Sequence, residues 1–412
     1  MKRALLTFGA LVALAGPALA ANEIETLDGT HQERVLSIQG TGAKLVVKTA
    51  DRSIPLDTVK SIRLGRPGRV KAGQTKVVLG NGDWLRGALE AGNEDQIGFK
   101  SQALGSLKIS LETVRAVVIG AASLEQERSL EQRLLEKSEV DWVLLDNGGV
   151  VRGSIVKVDG AQVTIDSDTD GGSNMGTLPF DLVKVRMISI APLDEPKKPD
   201  SALRTSVGLT DGSRLRGKPI SLDGAKFVLA HALGKGGKLG ISRQRISHIS
   251  VENGRFTYLS DVRPGEVEQR FPPEYTYEVR VWGWKRDTNV TGGPLRLEGV
   301  TYAKGLGMHS YCKLTYRLGG AYKRFKSVVG LDDGVKYLGE PGFGGVVFRV
   351  LVDGKPAPEL SSGLRIRKGE KPKAISVNLS GKQTLTLIAD FDPTSLHVLG
   401  RADWADAHLI KK

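Results

Sequence analysis

Cys312, Leu314, Tyr316 and Leu318 alternate with Lys313, Thr315 and Arg317, the period of a half-buried antiparallel strand with its apolar side chains on one face. Short runs of this kind, rich in Val, Ile and Leu and bounded by Gly, Asp, Asn and Pro, recur along the 412 residues. With 51 glycines to supply turns, the pattern predicts an all-β protein, long enough for more than one core.

Much of the first half is one unit written four times. TLDGTHQERVLSI, VVLGNGDWLRGAL, WVLLDNGGVVRGSI and VGLTDGSRLRGKPI each read as strand, Asp/Asn-Gly turn, strand. The last three share a turn glycine (Gly82, Gly148, Gly212) and an Arg-Gly pair (Arg86-Gly87, Arg152-Gly153, Arg216-Gly217). A turn glycine supplies positive φ, and the glycine of the pair permits a sharp bend or bulge in the strand. Each copy closes on a related segment, IPLDTVKSIRL, ISLETVRAVVI, LPFDLVKVRMISI or ISRQRISHISV. Such self-similarity marks repeated structural units, and the strand pattern resembles small SH3-like or Sm-like barrels. The expected boundaries are 21–66, 74–120, 142–191 and 202–258.

Residues 121–141, AASLEQERSLEQRLLEKSEVD, break the rhythm. Leu124, Leu130, Leu134 and Leu135 recur near helical spacing among Glu and Arg, predicting one amphipathic helix packed on a neighbouring barrel rather than a coiled coil, for which the stripe is too short. PLDEPKKPDS, 192–201, reads as an extended linker, and a second joint at 259–274 leads to a last domain, 275–412.

The first 20 residues, MKRALLTFGALVALAGPALA, have a basic start, an apolar centre and a small-residue ending at Ala18 and Ala20. That is the layout of a secretory signal cut after Ala20, and it predicts export to the periplasm, cell surface or medium, with no membrane span after cleavage. The formal net charge of +13 falls to 13 − 2 = +11 without Lys2 and Arg3. This permits attraction to anionic polysaccharide, lipid head groups or nucleic acid, but no dense basic run occurs and export argues against nucleic acid. The single cysteine, Cys312, excludes an intrachain disulfide and reads as a small core residue.

In the last domain, TYEVRVWGW, SYCKLTYRL, RFKSVVGL, GVVFRVLVDG, AISVNLSG, QTLTLIADF and WADAHLI follow one another as strands, predicting a jelly-roll β-sandwich. YAKGLGMHS, LGGAYKRFKSVVGLDD, VVFRVLVDGK and ADWADAHL resemble the NPCBM family of carbohydrate-binding modules over about 277–410. The resemblance implies a galactose-binding-like, discoidin-type sandwich in an exported bacterial protein, and a galactoside-like glycan as partner; the barrel-like repeats ahead of it also resemble the arrangement of exported planctomycete proteins.

Holding a sugar takes an aromatic face for the ring and carboxylates, amides or guanidinium forks for the hydroxyls. Trp282, Trp284, Tyr337, Phe343 and Trp404 are the faces on offer. Trp282 and Trp284, two apart on an expected strand, share one face; Trp282 is read as core, while Trp284 sits at the strand end beside Arg286 and Asp287, with 289–294 as a rim. Trp404 is read as core and Asp403 as pinning a loop on the opposite face. The candidate contacts are therefore Trp284, Arg286, Asp287, His309, Asp332, Asp333, Arg401 and Asp403. His309 also reads as a hydrogen-bonded structural histidine, and Asp332-Asp333 as turn caps, with a structural calcium left open and no other cofactor or metal expected.

Gly234–Gly240 superficially matches a phosphate loop, but a strand and not a helix follows. No H-E-x-x-H, Cys/His cluster or G-x-S-x-G elbow occurs, so the expectation is a non-catalytic binding protein with its repeats as spacer or interaction modules. The competing expectation is an adhesive envelope component without sugar binding, its partner another envelope protein.

Overall fold

The computed structural model describes all residues except 1–21, 67, 69–72, 136–137, 168–175, 193–201, 271–281, 336–342 and 396–398. The leader, nearly all of the 192–201 linker and Tyr337 lie outside the described residues. The chain is almost all β and divides into two units, Met1–Val251 and Glu252–Lys412. Among the described residues no helix is long and apolar enough to cross a membrane.

The first unit holds the four repeats. In the second, strands Thr75–Leu79, Trp84–Glu90, Gln96–Ser101, Gly105–Ser110 and Val114–Val118 follow in order, each pairing its neighbour until a one-turn 3-10 segment, Leu111–Thr113, leads into the last. In every copy the first strand pairs with the last, so each small sheet closes on itself. Alternation then sends one side-chain set inward, and Ile24, Val77, Phe99, Val163 and Phe227 are among the fully buried residues.

The repeated glycines have distinct steric causes. Gly82, Gly148 and Gly212 sit at φ of 81°, 87° and 88°, and each N–H donates to the carbonyl three residues back, a tight turn that L-residues disfavour. At the Arg-Gly pairs the reason is close approach. A Cβ on Gly87, Gly153 or Gly217 would lie 2.0, 2.0 or 2.3 Å from the carbonyl oxygen of Lys100, Asp166 or Ala230.

Closing strands also join the barrels. Val117 pairs with Ile188 between the second and third copies, and Ile62 with Ile249 between the first and fourth. Copies two and four lock through their turns. The Trp84 indole N–H donates to the Gly212 carbonyl at 2.9 Å, and the His231 imidazole meets the buried Asp83 carboxylate at 2.9 Å. Since the Leu233 N–H donates to His231 Nδ1, the ring proton sits on Nε2 and points at Asp83.

The helix is shorter than the Leu spacing predicts, running Leu124–Gln132 with a 3-10 extension Arg133–Leu135. Ser123 caps its start by accepting the Gln126 N–H at 3.1 Å. Asp141, expected at its end, instead opens strand Asp141–Leu145 and accepts the N–H groups of Ile155 and Ala191, both at 2.8 Å. Leu130 and Leu134 do pack on the barrels, against a cluster containing Val118, Trp142 and Met187. Glu127, 6% exposed, is gripped by both terminal nitrogens of Arg86, at 2.8 and 2.5 Å, and by Lys76 at 3.1 Å. The arginine of an Arg-Gly pair thus anchors the helix.

The second unit is a two-sheet sandwich. Its strands include β1 (Phe256–Tyr258), β2 (Glu266–Gln269), β3 (Lys285–Arg286), β4 (Leu295–Leu297), β5 (Val300–Tyr302), β6 (Gly305–His309), β7 (Cys312–Arg317), β8 (Tyr322–Leu331), β9 (Gly345–Val352), β10 (Lys355–Pro356), β11 (Leu364–Arg367), β12 (Lys373–Asn378), β13 (Thr384–Phe391) and β14 (Arg401–Lys411). One sheet runs β3-β6-β14-β8-β12 with β1 on β14; the other runs β2-β7-β13-β9-β10 with β11 on β9. Cys312, Leu314 and Tyr316, all fully buried, and Leu318 at 4% meet Trp404 of the other sheet in one core. The domain begins earlier than 275. β1, expected within the fourth repeat, and β2, expected within the second joint, pair with β14 and β7, because both supply edge hydrogen bonds the sheets would otherwise lack.

Gly217→Ala should cost about 1–3 kcal/mol in urea unfolding through overpacking, whereas Gly224→Ala, where a Cβ meets nothing within 4 Å, should stay within about 0.5 kcal/mol. Burial would raise the Glu127 pKa, but the Arg86 bond and the Lys76 and Arg86 charges outweigh it and hold the carboxyl below the usual range. Its contribution should therefore be present at neutral pH and fade as pH falls through the ordinary Glu range and below, a dependence that Glu127→Gln removes. Glu127→Ala, leaving Arg86 without a carboxylate while Lys76 keeps Glu131, should cost about 3–5 kcal/mol at neutral pH.

Candidate functional site

The register between β6 and β14 sorts the candidate residues. Leu306 pairs with Trp404 and Met308 with Ala402, and all four point into the core. Gly307 opposite Asp403 and His309 opposite Arg401 therefore face out of the sandwich. The 287–299 segment lies over part of that outer face. A Cβ on Gly307 would be 2.4 Å from the Thr288 carbonyl oxygen, so the loop can approach only a glycine.

Under this loop Asp332 and Asp403 are 3% and 1% exposed. Asp332 accepts hydrogen bonds from the Asn289 amide at 3.0 Å and the Gly334 N–H at 2.9 Å. Asp333 accepts the Glu298 and Gly299 N–H groups at 2.8 and 2.7 Å. Both carboxylates thus pin turns with lone pairs that a metal would need. Among the described residues no cluster of three or more His, Cys, Asp or Glu is disposed to hold a metal ion. Burial, and after it the negative charge of Asp332, pushes the Asp403 carboxyl well above the usual range, favouring its protonated form.

Beyond the loop's edge the outer face is open. Trp282 is 44% exposed, contrary to the core position expected for it. Residues 282–284 are irregular and only Lys285–Arg286 pairs as a strand, so alternation does not apply to the two tryptophans. Trp282 lies parallel to the His309 ring, 14° between planes and 6.4 Å between centroids, and the Arg401 guanidinium sits 5.5 Å from its ring centre. His309 Nδ1 donates to the Ser310 carbonyl at 2.8 Å, fixing the ring, while burial, then the Arg401 charge, lowers its pKa despite that bond. At neutral pH the site therefore presents an uncharged imidazole, one guanidinium and one exposed indole.

Trp284 goes elsewhere, packing partly on the core with Arg286 5.3 Å from its ring centre. Asp287, at φ of 56°, accepts from Lys304 at 2.8 Å and from the Gly305 N–H at 3.1 Å, so it closes a turn. Trp404 is buried between Phe325 and Phe348. The structure thus brings together His309 and Arg401, and separately Asp332, Asp333 and Asp403. Trp284 with Arg286, and Asp287, stand apart. Trp282 is the residue that the strand periodicity misassigned; its only signal was an indole next to a glycine, Gly283, outside any fixed register.

Residues 257–410 match the NPCBM/NEW2 domain family. A Renibacterium salmoninarum protein, provisionally named an endo-alpha-N-acetylgalactosaminidase, is 33% identical over 119 residues, 29% of this chain; the match spans 7% of that relative's length. Among solved structures, a CBM51 from Clostridium perfringens GH95 in complex with methyl-galactose is 21% identical, covering 37% of this chain and 99% of its own, with a TM-score of 0.31. A Clostridium perfringens ZmpB fragment containing CBM51-2 in complex with GlcNAc is 23% identical, covering 45% of this chain and 36% of its own, with a TM-score of 0.32.

Folding takes up a proton at Asp403, since the unfolded chain releases it near the ordinary Asp value and the folded one holds it. Stability should therefore fall as pH rises above that value. Melting curves between about pH 4 and 8 should show this slope in the native protein and a flatter one in Asp403→Asn.

Proposed function

Proceeding from an NPCBM/NEW2 domain at 257–410, we propose that this chain is an exported, non-catalytic carbohydrate-binding protein whose sandwich holds a glycan at Trp282, His309 and Arg401. The observation that carries the reading is the exposed Trp282 ring beside the Arg401 guanidinium and the anchored His309 imidazole. The indole offers an apolar face to the C–H side of a pyranose, and Arg401 and His309 Nε2 address its hydroxyls. A galactoside-like glycan is the first ligand to test, followed by GlcNAc. The four barrels serve as spacer or interaction modules. Their folding into one unit with paired closing strands supports a fixed support rather than a string of separate beads.

Glycan-array and titration measurements on the full chain should find a neutral sugar bound, with Trp282→Ala and Arg401→Ala each weakening it at least about tenfold. A folded Trp282→Ala protein with unchanged affinity would sink this assignment. Incubation with galactosides and N-acetylgalactosaminides should release no product. Export predicts that the protein recovered from outside the cytoplasm begins at Ala21, which mass spectrometry of its amino terminus decides.

A further inference from the structure

A second feature of the sandwich is independent of the Trp282 face. On its flank an open cleft of about 700 Å³ is lined by Arg263, Pro264, Gly265, Val267, Trp284, Arg286 and Arg317, within the size range of small-ligand sites. It lies by the edge strands of the two sheets, β2 of one and β3 of the other. Val267, 45% exposed, and the half-buried Trp284 form the apolar part. Gly265 is held by its N–H to the Thr315 carbonyl at 2.8 Å, and a Cβ there would come 3.8 Å from Arg317, so that side chain runs alongside the lip.

All three charged groups lining the cleft are guanidiniums. The acids nearest in sequence are already engaged: Asp261 and Asp287 with Lys304 at 2.5 and 2.8 Å, and Glu266 with Lys313 at 3.3 Å. Among the described residues no carboxylate pairs with Arg263, Arg286 or Arg317. Arg286 uses a single long bond to the Val262 carbonyl, 3.4 Å, out of five donors. Burial raises the Tyr316 phenol's pKa, against the opposing charge of Arg286, so a neutral hydroxyl lies near that guanidinium, without a partner among the described residues. Three guanidiniums beside an indole, with no carboxylate partner among the described residues, repel one another until an anion bridges them, and their planar forks match carboxylate and sulfate oxygens.

We propose that the Trp284 cleft is a second saccharide site, selective for glycans that carry oxyanions, with Trp284 and Val267 against the sugar ring and Arg263, Arg286 and Arg317 on its carboxylate or sulfate groups. Pyranose stacking and guanidinium forks together distinguish such a ligand from a neutral sugar, which gains nothing from the charge, and from a simple anion, which gains nothing from the indole.

The test titrates the full chain with a heparin-derived oligosaccharide, an oligogalacturonate and a neutral galacto-oligosaccharide, at about 50 and about 500 mM salt. Binding of either anionic probe, weakened at least about tenfold by high salt and by Arg286→Ala/Arg317→Ala, is the expected result. The probe that binds more tightly identifies the anion. Arg286→Lys/Arg317→Lys keeps the charge and loses the forks, so it should fall between the native protein and the alanine variant. Trp282→Ala should leave anionic binding within about twofold, which separates this site from the other. The proposal is overturned if neither anionic probe binds, if the alanine variant, folded by circular dichroism, binds as the native protein does, or if Trp282→Ala abolishes the binding. Displacement of the bound oligosaccharide by a single-stranded oligonucleotide at lower concentration would also overturn it, pointing to nucleic acid.

Discussion

The antiparallel register of Gly305–His309 against Arg401–Lys411 decides which side chains of the sandwich meet solvent. A slip by one residue would turn Trp404 outward and bring Asp403 and Arg401 into the core. The register is held from both sides: Leu306, Met308, Ala402 and Trp404 have no other place to go, and Gly307 is the position over which the 287–299 segment can close. One hydrophobic seam therefore fixes two polar arrangements, a covered one at Asp332 and Asp403 and an open one at His309 and Arg401. In the covered arrangement Asp332 pins turns, while the open one is left for a ligand.

In the repeat unit the governing constraint is steric. Each of the last three barrels closes because its second strand changes partners near the Arg-Gly pair, where a carbonyl of the neighbouring strand occupies the space a Cβ would need. The arginine before it is then free to differ in use between copies, and in the second copy it reaches a helix carboxylate. Repetition preserves the bend, and divergence of the side chains allows four similar barrels to interlock through dissimilar contacts such as His231 with Asp83.

The two tryptophans of the 282–284 segment show how little separates packing from exposure. Trp284 rests partly on the core and borders a cleft lined by arginines; Trp282 lies against a histidine on the outer face. Neither has the full burial of Trp404. Indoles left half in water beside guanidiniums cost burial free energy that the fold does not recover by itself, which is why both are read as recognition surfaces and not as structure.

By itself the sequence determined the class of the fold, the four-fold repeat and the apolar face of the Cys312 strand, because alternation and glycine placement are local properties that each residue's neighbours along the chain impose. It also carried the motifs of the last domain. The early start of the sandwich at β1 and β2, the short helix and the exposure of Trp282 were decided only by tertiary structure. An edge strand is defined by the partner it meets across the sheet, and Asp141 by the N–H groups of Ile155 and Ala191 that it accepts from elsewhere in the barrel. Two residues two apart in the pattern share a face only where the backbone is held extended by a neighbour, and among the described residues no strand pairs with 282–284. The grouping of His309 with Arg401, 92 residues apart in the chain, rests on register across a sheet, which no local pattern encodes.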